Sequence, residues 1–376
     1  MSKFGYFPSK MPRQPEKLEL PTGPFPQETW TGHIERFVGM TQVPTGLVGP
    51  LHILGQHMSG EVMVPLATTE GALVASYHRG AKATRLAGGI KTLITQEQVQ
   101  RCPVFVMDHL GDVASFLTWL VDCLPEMQRI ARQQTRFGSL ISCEPLVEGN
   151  QVILTLNFHT GDAAGQNMVT FCTEAICRYI LDQLPVQPKR WYIESNFSGD
   201  KKATQRAMTQ ARGKRVSAEC ELSAEVVQEA LKSTPADIEA YWRSSTVNTV
   251  QSGAIGTMGH AANGLTALFL ATGQDVACVS EASVGITRLE ETESGGLYAT
   301  VTLPNLIVGT VGGGTGLPTQ GACLEFMQCA GTGHARKFAE ICAALVLAGE
   351  LSIAAALAAG HFARAHRSLG RTAKKA

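Results

Sequence analysis

Residues 341–360, ICAALVLAGELSIAAALAAG, are apolar or small for twenty positions apart from one acid, Glu350. A helix that is apolar on every side belongs either in a bilayer or deep inside a protein. Length alone permits a span. The run is rich in alanine and glycine and carries a carboxylate at its centre, which fits close packing inside protein better than lipid. It reads as a buried helix, and a chain of 376 residues is long enough to surround it with a core and to form two domains. Acidic and basic residues balance at 32 each, which argues against nucleic acid or a membrane surface as the main partner. MSKFGYFPSKMPRQPEKLELPTGPFPQ has no apolar centre of the signal-peptide kind. The ten cysteines form no C-x-x-C pair and no Cys/His cluster at zinc spacing, so they read as reduced core thiols of a cytosolic protein, with no metal.

The reading divides the chain into four parts. Residues 1–35, rich in proline and polar groups, read as an arm. Residues 36–102 open a large domain whose Gly- and Pro-punctuated segments lead into a helix at about residue 70. Residues 103–193 carry a pattern of their own: a strand in PVFVMDH, an amphipathic helix over 112–133, a hairpin turning at Glu148-Gly149-Asn150, a helix over 164–183 and a closing strand in RWYIES. That β-α-β-β-α-β order is ferredoxin-like, so the expected fold is α+β, a large helical/β substrate domain with an inserted ferredoxin-like small domain. Residues 194–376 complete the large domain, with a Gly- and Ala-rich helical region over 218–275, a strand pair around ITRLEETESGGLYATVTLP and a basic tail.

Six stretches concentrate chemistry. In ATTEGALVASYHRG, Thr68 or Thr69 reads as an N-cap, which places Glu70 in a first helical turn where the macrodipole favours its charge. SNFSGDKKA puts Asp200 beside Lys201 and Lys202, either a solvated charge cluster or an electrophilic lysine held by an acid. GHAANGLTALFLATGQDVAC is apolar apart from His260, Asn263 and Asp275, and an acid at the end of a helix opposes the C-terminal dipole. NLIVGTVGGGTG is a strand entering a glycine turn where backbone can approach a ligand, though not a G-x-G-x-x-G site. GDAAGQNM opens a helix and TRFGSL supplies an arginine, a fair phosphate site.

Together VPTGLVGPL, ATTEGALVAS, SGDKKA, GHAAN, GQDVA, GTVGGGT and LVLAGELSIAAALAAGH, in that order from about Phe37 to the C-terminus, resemble the catalytic portion of the 3-hydroxy-3-methylglutaryl-coenzyme A reductases. TRF and GDAAGQNM resemble the NADPH-using class I branch. The resemblance implies reduction of an acyl-CoA thioester by two NADPH, through a hemithioacetal and an aldehyde, to mevalonate and coenzyme A for isoprenoid biosynthesis. It implies a cytoplasmic homodimer or dimer of dimers with sites at the interface, and no membrane anchor. Carried over by motif, Glu70 protonates the aldehyde oxygen, Lys201 stabilises the oxyanion, Asp275 links Lys201 to Glu70, and His366 protonates the departing thiolate. Ser76, Arg101, Glu194, Asp200, Lys202, Arg243 and Asn263 would contact substrate. Thr135, Arg136, Phe137, Asp162, Gly165, Asn167, Gly312, Gly313 and Thr315 would hold NADPH, with Arg136 on its 2′-phosphate. Burial and the charge of Asp275 are expected to raise the pKa of Glu70.

Four positions depart from the family pattern. Arg36 stands where an asparagine is usual, His78 replaces an asparagine near coenzyme A, Glu194 replaces a small hydroxyl and Arg243 replaces a lysine. A carboxylate beside a carboxylate substrate repels it unless a cation intervenes, and Arg243 is the cation expected to pair with Glu194. The departures leave open a different acyl thioester, carrier-bound or not, and a silent homologue that only binds coenzyme A or dinucleotide.

Overall fold

The computed structural model describes residues 14, 17–21, 23 and 25–360. Much of the 1–35 arm therefore lies outside the described residues, as does the tail with His366. The elements run β1 (Thr45–Leu54), β2 (Ser59–Ala67), α1 (Leu73–Leu86), β3 (Ile90–Arg101), β4 (Val104–Val106), α2 (Leu110–Leu120), α3 (Leu124–Gln134), β5 (Ser139–Glu148), β6 (Gln151–His159), α4 (Gln166–Gln183) and β7 (Arg190–Tyr192). There follow β8 (Gly213–Leu222), the single turn α5 (Ala224–Val226), α6 (Pro235–Ser252), α7 (Ala261–Thr272), the short α8 (Val279–Ala282), β9 (Ile286–Glu291), β10 (Leu297–Leu306), α9 (Pro318–Phe326) and α10 (Ala335–Ala358).

Among the described residues, ten strands form one mixed, mostly antiparallel sheet. β3 is its shared strand. Lys91 to Gln98 pair with β8, and after a register irregularity at Ile94–Gln96 the last residues, Val99 to Arg101, pair with β6. Beyond β3 the strand order is β6, β4, β7, with β5 on the other edge of β6, all antiparallel. The hairpin between β5 and β6 turns at Gly149-Asn150, as its sequence predicts, with Gly149 in the left-handed region.

Three local expectations are corrected. Residues 112–133 form two helices, because Pro125 lacks the N–H that a continuing helix needs and opens α3 instead. Residues 218–222 are strand, since Val216, Ala218, Cys220 and Leu222 are buried at period two within β8, and this alternation overrides the small-residue composition. Glu70 is not in a helical turn. Helix α1 begins at Leu73 after Ala72 adopts φ +69°, and the Thr68 hydroxyl accepts from the Glu70 N–H at 3.0 Å, so it closes a local turn rather than capping a helix.

The apolar run is the molecule's central rod. α10 is long and apolar enough to cross a membrane, but most of it is buried against α1, α6, α7 and the four strands β1, β3, β8 and β10. Its two acids find backbone donors. Glu350 accepts from the Gly259 and His260 amides (2.9 and 2.6 Å) and the Thr287 hydroxyl (3.1 Å). Glu340 accepts from three amides in the β1–β2 turn, those of Gln56, His57 and Met58. Burial still raises both carboxyls, that of Glu340 to about 7. Helix α1 crosses α10 at Gly80, where a Cβ would overlap the Ala348 carbonyl, and Tyr77 lodges between Gly264 and Gly349 with its hydroxyl donating to the His260 carbonyl at 2.6 Å.

Gly80→Ala should therefore force the two helices apart and lower stability by about 3 kcal/mol or more. Urea denaturation checks this, and a loss below about 0.5 kcal/mol would mean that the crossing is not close-packed.

Candidate functional site

Helix α7 sets the geometry of the site, because the chemistry-bearing residues gather at its two ends. At its N-terminal end, Asn263 Nδ2 donates to Glu70 Oε2 at 2.8 Å. Both face an open depression of about 510 Å³, also lined by Val43, Thr69, Thr266 and Leu270. Glu70 is exposed in this chain, contrary to the expectation of burial.

At the C-terminal end, α7 stops at Gly273 with φ +69°, and Asp275 caps the following short turn by accepting from the Ala277 amide at 3.1 Å. The acid thus starts a new turn instead of opposing the dipole of α7. Its other oxygen pairs with Lys201 Nζ at 2.8 Å and accepts from Gln166 Nε2 at 3.3 Å. Lys201 holds φ +55°, unusual for a residue with a side chain. The bond to Asp275 raises the Lys201 ammonium above the ordinary lysine value, against burial. Burial pushes the Asp275 carboxyl up, but Lys201, the Ala277 amide and Gln166 outweigh it and hold it below the usual aspartate value. Within one chain the Glu70 carboxylate is held by Asn263 and Asp275 by Lys201, the Ala277 amide and Gln166. From Asn263 to Thr272 the helix axis rises about 13 Å.

The two glycine-rich stretches meet beside Asp275. The Thr310 amide donates to the Asp162 carbonyl at 2.8 Å, Ala163 and Val311 form an isolated bridge, and Gly309 lies so close to Ala163–Ala164 that a Cβ has no room. Gly314 packs against Gly273 at the end of α7. Gly312 and Gly313 hold positive φ with open space where side chains would stand, and Thr315 folds its hydroxyl onto the Gly312 carbonyl. Helix α4 opens at Gly165 with φ +77° and no side-chain cap, and Asn167 is exposed in its first turn. Thr135 touches Met168 on the same helix, while Arg136 and Phe137 are exposed in the adjoining connection.

Other predicted contacts are occupied within the chain. Arg101 is buried and pairs with Glu194 (3.2 Å) and Asp200 (3.0 Å), and it also donates to Thr170. Lys202 donates to the Asp200 carbonyl, and Ser76 shares a hydrogen bond with Ser352. Arg243 is exposed and pairs with Glu239 one helical turn away, so the cation beside Glu194 is Arg101 and not Arg243. The sequence reading missed three residues that hold Lys201 or its partners. Gln166 could have been found as the first residue of the GDAAG-led helix. Glu281 and Arg212 gave no signal, because their pairing joins α8 to the start of β8 across the fold.

Fold and site define a mixed α/β protein with a lysine–carboxylate pair beside a glycine-lined cleft. A family model described as hydroxymethylglutaryl-coenzyme A reductase matches residues 10–371. The 3-hydroxy-3-methylglutaryl-coenzyme A reductase of Pyrococcus abyssi is 42% identical over 353 residues, covering 92% of this chain and 86% of that protein. The enzyme of the same name from Methanocaldococcus jannaschii is 41% identical over 344 residues, covering 90% of this chain and 85% of its own length. The chain belongs to the hydroxymethylglutaryl-coenzyme A reductase family. The class II enzyme of Streptococcus pneumoniae, solved bound to NADPH in open conformations, superposes with a TM-score of 0.71 at 20% identity, over 88% of this chain and 89% of that one, and shares the fold.

The Asp162 carboxylate accepts from the Gly333 and Ala335 amides (2.8 and 3.1 Å), tying the loop to the start of α10. Burial raises this carboxyl, but the two amides outweigh it and its pKa is lowered. A lowered acid stabilises the fold fully above its unfolded value, and that contribution is lost as pH falls through the folded one. Asp162→Ala should cost about 1 kcal/mol at neutral pH, as for a lost cap, and the gap from wild type should shrink below about pH 4. Denaturant titrations across that range check it; a gap independent of pH would exclude the carboxylate charge as its source.

Proposed function

We propose that this chain is an NADPH-dependent reductase that converts 3-hydroxy-3-methylglutaryl-CoA to mevalonate and free coenzyme A. The observation that carries the reading is the 2.8 Å Lys201–Asp275 pair standing beside the joined glycine loops. The loops fit a dinucleotide. Gly312 and Gly313 leave open backbone, the first amides of α4 lack a side-chain cap, and Arg136 is exposed nearby to pair with a 2′-phosphate. Residues 103–193 are then the inserted ferredoxin-like unit that carries the NADPH site, a reading supported by the strand order β7-β4-β6-β5. Residues 36–102 and 194–376 make up the substrate domain around it.

When bound, NADPH supplies the hydride for each of two reductions. The Lys201 ammonium stabilises the negative charge that develops on the carbonyl oxygen, first of the thioester and then of the aldehyde. Asp275 holds that ammonium in place and keeps it charged. Glu70 delivers the proton to the aldehyde oxygen, with Asn263 fixing its carboxyl. His366, outside the described residues, protonates the thiolate released when the hemithioacetal collapses.

In one chain Glu70, held by Asn263, and Lys201, held by Asp275, stand toward opposite ends of α7. That arrangement supports a functional unit that is a homodimer or dimer of dimers, in which the Glu70 end of one protomer faces the Lys201 end of its partner. The hydroxymethylglutaryl group remains the favoured acyl group. Glu194 is satisfied by Arg101, Ser198 and the Asn196 amide, so it offers no free charge to repel a carboxylate substrate. Free, mostly buried thiols suit the reducing cytoplasm.

Lys201→Ala and Glu70→Gln should each abolish NADPH oxidation with hydroxymethylglutaryl-CoA while leaving the fold intact. Mixed and allowed to exchange subunits, the two inactive variants should regain about a quarter of wild-type activity, because half the dimers are mixed and each then holds one intact site. A mixture that stays inactive after verified exchange would place the site within one chain.

Arg136→Ala should raise the Michaelis constant for NADPH by about tenfold or more and leave that for NADH nearly unchanged. Parallel changes for both cofactors would remove Arg136 from the 2′-phosphate.

A further inference from the structure

The Lys201 side chain is held by Asp275, but its backbone requires a second hold. At φ +55° the residue sits where side chains are disfavoured, and a lysine there returns to ordinary conformations unless the surroundings prevent it. The Lys201 amide donates to Glu281 Oε1 at 3.1 Å. Glu281 lies on α8, six residues beyond Asp275, so one short segment grips both the amine and the amide of the same lysine.

Glu281 is itself fixed from the opposite side. Its Oε1 also accepts from Arg212 Nη1, and both side chains are only 1% exposed. Arg212 Nη2 then pairs with Asp200 at 2.7 Å, and Asp200 pairs with Arg101. The other carboxylate oxygen, Oε2, has no hydrogen-bond partner among the described residues. A pair built for stability alone would present both oxygens to the guanidinium fork. Here a single oxygen is shared between the arginine and the lysine amide. Buried ion pairs of this kind add little stability over an apolar pair of similar size, so placement is the more telling property.

We propose that Glu281, anchored by Arg212, is a positioning residue that holds the Lys201 backbone in its left-handed conformation and thereby keeps the ammonium on Asp275, at the reacting oxygen. The proposal rests on the role given to Lys201 above. Glu281 touches neither substrate nor cofactor and acts through the lysine. The charged and titratable groups that face the Lys201 amine are Asp275, Asp200 and Cys278, and those around Glu281 are Arg212, Asp200 and Cys278. Of these, the bond to Asp275 raises Lys201 most. A lysine that slips from Asp275 therefore loses its ammonium at lower pH.

The test uses Glu281→Gln, which keeps an oxygen for the Lys201 amide, and the pair Arg212→Met with Glu281→Leu, which removes both buried charges together so that neither is stranded. In the purified full-length protein, the double variant should bind NADPH with a Michaelis constant within about twofold of wild type and lose about tenfold or more in kcat. Its kcat–pH profile should fall off at lower pH on the alkaline side. Glu281→Gln should recover most of the kcat and restore the alkaline limb. A folded double variant with wild-type kcat and an unmoved alkaline limb would overturn the proposal. So would a loss of kcat with an unmoved limb, since that is what general loosening of the fold produces. If the double variant does not fold, Glu281→Gln and Glu281→Asp decide: a normal limb for Gln with a lowered one for the shorter Asp supports the proposal, and any other pattern overturns it. Wild type that does not oxidise NADPH with hydroxymethylglutaryl-CoA would instead remove the reading of Lys201, and this proposal with it.

Discussion

The hydrogen bonds that Glu350 accepts from the loop ahead of α7 are the constraint from which the site follows. A carboxylate in the middle of a buried apolar helix is tolerable only where donors meet it, and here they are the Gly259 and His260 amides and the Thr287 hydroxyl. Those bonds fix the start of α7 against α10. Tyr77, stacked on His260 with ring centroids 4.7 Å apart, locks the same point from α1. Once the start and direction of α7 are set, the positions of Asn263 at one end and Asp275 beyond the other are set as well. The acid that looked anomalous in an apolar run thus orders the functional ends of a neighbouring helix.

Much of this was legible in the sequence because it depends on local pattern. The burial of residues 341–360 followed from their composition, the β5–β6 hairpin from its Gly-Asn turn, and the nearness of Asp200 and Lys201 from the chain itself. Local anomalies in the sequence singled out Glu70, Asp275 and the two glycine loops, and resemblance to a family supplied their roles. Two kinds of information were missing. One was backbone detail: Pro125 divides a helix, and Ala72 at positive φ delays another until after Glu70. The other was pairing at a distance. No spacing rule would join Glu281 to Arg212, or Arg101 to Glu194, since each pair spans more than sixty positions and forms only when the sheet is complete.

The pairing of Glu194 with Arg101 also shows how an acid that reads as unfavourable in the sequence can be absorbed. Read as a sequence, a carboxylate in an acyl pocket predicts repulsion. In the structure the guanidinium is shared between Glu194 and Asp200, and the Ser198 hydroxyl and the Asn196 amide satisfy the remaining valence of the acid. The charge is spent on holding the 194–202 loop together, which is the loop that carries Lys201. A carboxylate expected to repel a bound acid is here part of the loop's scaffold.

The contact of Tyr77 with Gly264 and Gly349 bears on how such a core can change over generations. Neither glycine can gain even a methyl group while the tyrosine ring is present. Replacing the ring first leaves a void and removes the donor from the His260 carbonyl. Every single-step path away from this arrangement therefore passes through a less stable intermediate, whichever of the three positions moves first. Three helices are bound to one another's history at that point, and variation in this part of the molecule has to be concerted or go to the surface.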